Sequence, residues 1–179
     1  MVVQARTGSS RFPRKVMADL CGEPMLAFML KRLGSLVLDD ITVVVATSNL
    51  ARDDEIQSLC QDRGIDCYCG SEQDVLSRFR DIAEHLDADV IVRLTGDSPL
   101  VWAGLVRYAL SHHASYFTWV DAPDGMDVEV LSRDALDDAT DSEHVTFGLH
   151  GKGKKIPFPK LSVDVPEDLE RVKQFLSGR

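Results

Sequence analysis

Short runs of β-branched and apolar residues alternate with amphipathic segments along this chain, and that alternation constrains its fold most. Met1–Ala5, Ile41–Thr47 and Val90–Leu94 are continuous apolar runs. Runs without polar alternation fit strands buried on both faces of a parallel sheet. Between them, Met25, Leu26, Met29, Leu30 and Leu33 follow Pro24 at helical spacing and stop at Gly34. Ala51–Arg63, Gln73–Leu86, Leu105–His112 and Pro166–Leu176 repeat the helical pattern. Strand and helix in alternation predict an α/β fold, a mostly parallel sheet with right-handed crossovers.

Residues 115–132 break the rhythm. Ser115–Val120 and Asp127–Leu131 read as two strands around a Pro123-Asp124-Gly125 turn, an antiparallel hairpin beside the main sheet. If it is exposed, this hairpin offers an edge for a homodimer. With 179 residues, the chain is expected to form a single domain, 1–179, with 115–131 as an excursion. Residues 150–160, with Lys152, Lys154, Lys155 and Lys160, read as a mobile loop.

Charge narrows the function. The net charge of −9 argues against a general nucleic-acid binder. No apolar run reaches the roughly 18 residues of a membrane span. The start of the chain lacks a signal-peptide pattern. Cys21, Cys60, Cys67 and Cys69 fit no zinc spacing and read as free thiols of a cytoplasmic protein.

Against that acidic background, residues 1–18 hold Arg6, Arg11, Arg14 and Lys15 and no acid. The segment Gln4-Ala5-Arg6-Thr7-Gly8-Ser9-Ser10-Arg11-Phe12-Pro13-Arg14-Lys15 directly follows the first strand. Small residues Gly8, Ser9 and Ser10 let backbone amides approach a phosphate, and the arginines can grip its oxygens. Neither a Walker loop nor a Rossmann fingerprint is present, since the glycine spacings differ. A solvated basic loop is the alternative.

Asp97, in Arg93-Leu94-Thr95-Gly96-Asp97-Ser98-Pro99, follows another strand and reaches the same sheet edge. A carboxylate beside a polyphosphate is a common Mg²⁺ ligand, and a turn-capping aspartate is the alternative. Asp164, in Leu161-Ser162-Val163-Asp164-Val165-Pro166, reads as the end of a last strand. It is either a second metal ligand or part of the helix start. Asp168 reads as a helix cap. Asp87-Ala88-Asp89 has the spacing of a glycosyltransferase metal motif but precedes its strand, at the opposite sheet edge.

QARTGSSRFPRKV, GEPML, GSEQDVLSRF, IVRLTGDSPL, DGMDVEV, SEHVT and SVDVPEDL occur in that order. Together they resemble the SpsF-type and acylneuraminate cytidylyltransferase family across the whole chain. The resemblance implies a Rossmann-like, GT-A-type nucleotidyltransferase fold. It implies transfer of CMP from CTP to a small anionic acceptor, a sugar acid or a phosphonate, with release of pyrophosphate. Arg11 and Lys15 would be catalytic. Gln4, Ala5, Arg6, Gly8, Ser9, Ser10, Thr47, Gly70, Ser71, Asp74 and Arg93 would surround the nucleotide. Gly125, Asp127, Glu129, Glu143 and His144 would face the acceptor. Asp97 and Asp164 would hold Mg²⁺. Val165 stands where the family usually has Thr. A glycosyltransferase and a non-catalytic nucleotide-binding module are the competing readings.

Overall fold

The computed structural model describes residues 1–34, 41–112, 116–118, 124–140 and 159–178. A six-stranded sheet forms its centre. In chain order the strands are β1 (Val2–Gln4), β2 (Asp19–Leu20), β3 (Glu23–Pro24), β4 (Val44–Ser48), β5 (Asp66–Gly70), β6 (Val90–Thr95), β7 (Tyr116–Thr118) and β8 (Glu129–Ser132). The helices are α1 (Met25–Leu33), α2 (Asp54–Asp62), α3 (Val75–His85), α4 (Ala103–His112), α5 (Arg133–Asp137) and α6 (Pro166–Ser177). The sheet order is β5-β4-β1-β6-β8-β7, and β2 pairs with β3 separately.

Strands β5, β4, β1 and β6 run parallel, as the apolar runs predict. Strand β8 lies antiparallel to β6, and β7 antiparallel to β8. The antiparallel pair expected at 115–131 is therefore present, and it extends the main sheet.

Alternate residues of the short strands feed opposite layers. Val3 and Val45 join α1, α2 and α4 through Leu26, Leu30, Ile56, Cys60 and Val106. Val2, Val44 and Ala46 join α3 and α5 through Leu76, Phe79, Ile82 and Leu136. Burial on both faces explains why the inner positions of these strands are apolar, while Gln4, Thr47, Ser48, Arg93 and Thr95 gather toward their carboxyl ends. A third cluster packs α6 against the β2–β3 hairpin through Leu20, Met25, Leu161, Val163 and Leu169.

Chain direction across the sheet reverses at β1. The crossovers through α1 and α2 step outward to β4 and β5, and the one through α3 returns to β6 on the other side. The crevice at such a switch point, beyond the carboxyl ends of the strands, is where open α/β sheets bind ligands. The segments after β1 and β6 meet there, joined by Gly96 N–H donating to Gln4 O at 2.8 Å.

Two local expectations are corrected, at Pro24 and at residues 161–164. Pro24 ends β3 with extended backbone (ψ 138°), so α1 begins at Met25. The Cys21–Gly22 turn has positive φ at both positions, 57° and 91°, as a tight two-residue hairpin requires. Residues 161–164 form no strand. Leu161 and Val163 are buried, but their N–H groups donate to Asp124 O and Asp97 O, which lie on turns.

Asp53 ties the post-β1 loop to the start of α2. It is fully buried and accepts from Thr7 N–H at 2.7 Å, from Thr7 Oγ1 at 2.6 Å and from the Ser48 hydroxyl. Burial opposes its ionisation, and the Ser48 and Thr7 hydrogen bonds outweigh that, holding its carboxyl below the usual range. At the other end, the missing hydroxyl at Val165 is compensated. Asp168 Oδ2 accepts from the N–H groups of Asp164 and Val165 and from Lys160 Nζ, and its Oδ1 accepts from Arg171.

Asp53→Ala strands two buried donors, the Thr7 amide and the Ser48 hydroxyl, and should destabilise the protein by on the order of 3 kcal/mol. Scanning calorimetry should then show melting roughly 6–12 °C lower. For Asp168, burial pushes the carboxyl up, but its donors hold it well below the ordinary value near about 3.9. A depressed folded pKa contributes stability that is present above the unfolded value and lost as pH falls. Denaturant titrations should show Asp168→Asn costing most above pH of about 4, with the gap to the parent closing at lower pH.

Candidate active site

A groove of about 1170 Å³ opens at the switch point. That is at the upper end for small-molecule sites and has room for a nucleotide and a second ligand. The post-β1 loop supplies Gln4, Ala5, Arg6, Gly8, Ser9, Ser10, Arg11 and Lys15; the post-β5 segment supplies Ser71, Glu72, Gln73 and Asp74; β6 and its turn supply Arg93, Thr95, Gly96 and Asp97. Asp164 reaches it from the segment before α6.

The loop is folded around Thr7. The Thr7 carbonyl accepts from Ser9 N–H at 2.8 Å and from Arg14 N–H at 2.9 Å, and Lys15 N–H donates to Phe12 O. The amides of Gly8, Ser10 and Arg11 donate to no other described residue. Such free amides in a compact turn favour an anion. Gly8 packs closely on α2's approach: a Cβ there would lie 2.8 Å from the guanidinium at the movable end of Arg52.

The four cations of the loop divide. Arg14 turns away and pairs with Glu55 of α2, Nε to Oε1 at 2.8 Å. Arg6 lies 3.7 Å from Glu72 and is half exposed. Arg11 Nη2 donates to Asp164 Oδ1 at 2.9 Å. Lys15 is mostly buried; Nζ donates to Asp97 Oδ2 at 2.9 Å and to Val163 O at 2.8 Å, and lies 3.5 Å from Asp164 Oδ1. Burial opposes the ionisation of Asp164, and Lys160, Lys15 and Arg11 together outweigh it, so its carboxyl titrates below the usual range.

A second ionic knot forms the floor. Arg93 and Glu129 face each other across β6 and β8, with Nη1 donating to Glu129 Oε2 at 2.7 Å. Arg93 also donates to Gln4 Oε1 from Nε and Nη2, at 3.3 and 3.2 Å. A buried arginine held on two sides presents its remaining N–H groups in a fixed direction.

The donor set at Asp97 suits a divalent cation. Two carboxylates and one backbone carbonyl already converge on a single cationic atom, Lys15 Nζ. All three donors are hard oxygens, the class that binds Mg²⁺.

Several expected residues lie elsewhere. Thr47 is buried within β4, its Oγ1 without a described partner, and does not line the groove. Gly70 lies behind the wall, where a Cβ would come 2.7 Å from Arg78 Cγ. Asp74 lines the groove and caps α3, accepting from Ser77 N–H. Gly125 and Asp127 are not part of the lining. At Gly125 a Cβ would meet Ser162 N at 2.3 Å, so this glycine permits a close chain crossing. Glu129 stands behind Arg93. Glu143, His144, Lys152, Lys154 and Lys155 lie outside the described residues. Asp87-Ala88-Asp89 precedes β6, at the edge away from the groove. The thiols are free, and among the described residues no helix is long and apolar enough to cross a membrane.

Glu72, Gln73, Thr95 and Gly96 were missed, although they sit inside the GSEQD and TGDSP blocks. Asp53 gave no signal: within Arg52-Asp53-Asp54-Glu55 it reads as one more acid at a helix start.

The cytidylyltransferase family model matches residues 1–159. The spore coat polysaccharide biosynthesis protein SpsF of Bacillus subtilis is 30% identical over 96% of this chain and 83% of its own length. The 3-deoxy-manno-octulosonate cytidylyltransferase of Chlorobium phaeovibrioides is 32% identical over 91% of this chain, which spans 64% of that protein. Among solved structures, a cytidylyltransferase from Leptospira borgpetersenii superposes with a TM-score of 0.89 at 25% identity, covering 99% of this chain and 86% of that one. With its cation-rich loop at the switch point and these matches along its length, the chain belongs to the cytidylyltransferase family.

Proposed function

We infer that the chain transfers CMP from CTP to a sugar acid and releases pyrophosphate, supplying an activated precursor for a surface polysaccharide. The observation that carries this reading is that Arg6, Arg11, Lys15 and the loop bearing the free Gly8, Ser10 and Arg11 amides line one groove together with Asp97. That wall suits a polyphosphate, which cations and oriented amides hold better than any neutral ligand. The acceptor class follows the named relatives, one acting on 3-deoxy-manno-octulosonate and one in spore coat polysaccharide biosynthesis.

An acceptor oxygen attacks the α-phosphorus, and the bond to the bridging oxygen of pyrophosphate breaks. Little covalent chemistry is required of the protein, so catalysis rests on positioning and charge stabilisation. The free amides and Arg6 orient the phosphates. Arg11 and Lys15 bear on the β- and γ-phosphates and stabilise the charge that collects on pyrophosphate. Arg93, fixed by Glu129 and Gln4, presents its spare N–H groups toward the second ligand. Asp97 and Asp164 would hold Mg²⁺, which supplies Lewis-acid charge neutralisation at the phosphates when bound.

Two outcomes test the reading. Removing one preorganised charge typically costs about 3–4 kcal/mol in the transition state. Lys15→Ala and Asp97→Asn should therefore each lower turnover at least about 100-fold in a pyrophosphate-release assay with CTP and eight- or nine-carbon sugar acids. Near-normal rates in both variants would remove these residues from the site. In thermal unfolding, CTP with Mg²⁺ at about 100 times its Kd should raise Tm by roughly 5–10 °C, more than UTP, ATP or GTP. A shift with a nucleotide-sugar and none with any triphosphate would instead favour glycosyl transfer.

A further inference from the structure

Lys15 is assigned to phosphate, yet its ammonium is fully satisfied by the site itself. An ammonium carries three N–H donors. Three oxygens surround Nζ: Asp97 Oδ2 at 2.9 Å, Val163 O at 2.8 Å and Asp164 Oδ1 at 3.5 Å. Arg11 and Lys160 hold Asp164 from other sides, at 2.9 Å each. Neither touches Asp97, so Lys15 is its one ion-pair partner among the described residues. The lysine side chain is 12% exposed and that of Asp97 30%, so the contact is partly shielded from solvent.

A dication bound by the same oxygens would lie within a few ångströms of Nζ. Like charges that close repel strongly where water is scarce. The ammonium and the metal therefore exclude one another from this cradle.

We propose that Lys15 is a placeholder for the divalent cation, neutralising Asp97 and Asp164 until metal and nucleotide arrive together. The proposal rests on the reading of these two aspartates as metal ligands. In the chain alone, Lys15 supplies the one cation among the described residues that compensates Asp97, beside an Asp164 that Arg11 and Lys160 also hold. A triphosphate gives the ammonium a second anionic partner, and its departure opens the oxygens to the metal. Metal alone binds weakly, because the open cradle is a minor population. A site open one tenth of the time binds about tenfold more weakly than its intrinsic affinity. The same lysine then couples metal and nucleotide positively, and this coupling is reciprocal.

Mn²⁺, which also favours oxygen ligands, is the probe. Electron paramagnetic resonance titrations without nucleotide compare the parent, Lys15→Met and the Lys15→Met/Asp97→Asn double variant. Lys15→Met should bind one Mn²⁺ at least about tenfold tighter than the parent, and adding Asp97→Asn should abolish the gain. Equal, Asp97-dependent binding by the parent and Lys15→Met would overturn the placeholder and leave the metal reading standing. Binding by Lys15→Met no tighter than by the double variant would overturn both. Should Lys15→Met not fold, reductive methylation of the parent tests the placeholder directly. Mn²⁺ should accelerate modification of Lys15 several-fold and leave Lys31, whose partner is Glu23, unchanged; an unchanged Lys15 rate overturns the proposal.

Discussion

The hydrogen bonds from Thr7 to Asp53 hold this site together. Strand β1 is only three residues long and pairs with β4 and β6. The chain leaves it at the point where sheet direction reverses, and a loop of small residues there would have many conformations. One buried carboxylate removes that freedom. Asp53 takes both the amide and the hydroxyl of Thr7 and is itself fixed by Ser48 at the end of β4. The free amides and the cations that follow inherit their direction from this clamp, so the shape of the groove's loop depends on a residue away from the groove.

A second clasp works from the far end of the chain. Asp168 gathers Lys160, Arg171 and the amides of Asp164 and Val165, which orients the Asp164 backbone. Lys15 and Arg11 then bridge to Asp164 from the loop after β1. Residues more than 140 positions apart are joined by charge-assisted hydrogen bonds, which are stronger than neutral ones. The groove is therefore closed on one side by electrostatics.

What the sequence made legible follows the physics of each element. Val2–Gln4, Val44–Ser48 and Val90–Thr95 announced themselves because strands buried on both faces are apolar over most of their length. The cation-rich loop stood out against an acidic chain, and Asp97 stood out by following a strand. Other features had no such signature. Strands β2 and β3 are two residues each, too short for any period. Residues 161–164 alternate like a strand, but their amides bond to turns, and a sequence does not name its hydrogen-bond partners. The Asp53–Thr7 contact spans 46 positions, and nothing in Arg52-Asp53-Asp54-Glu55 marks which acid turns inward. Thr47 and Gly70 fall outside the groove lining, Thr47 because it is buried within β4 and Gly70 because it packs against Arg78.

The division of the loop between two anchors bears on protein engineering. Gly8 lies against Arg52, Thr7 against Asp53, and Arg14 against Glu55, all within one short stretch at the start of α2. The loop is therefore half of a two-part unit. Grafted alone onto another parallel sheet, Gln4–Lys15 would carry its positive charge but leave its shape behind. A working transplant has to move Ser48–Glu55 with it, in the same parallel register of neighbouring strands.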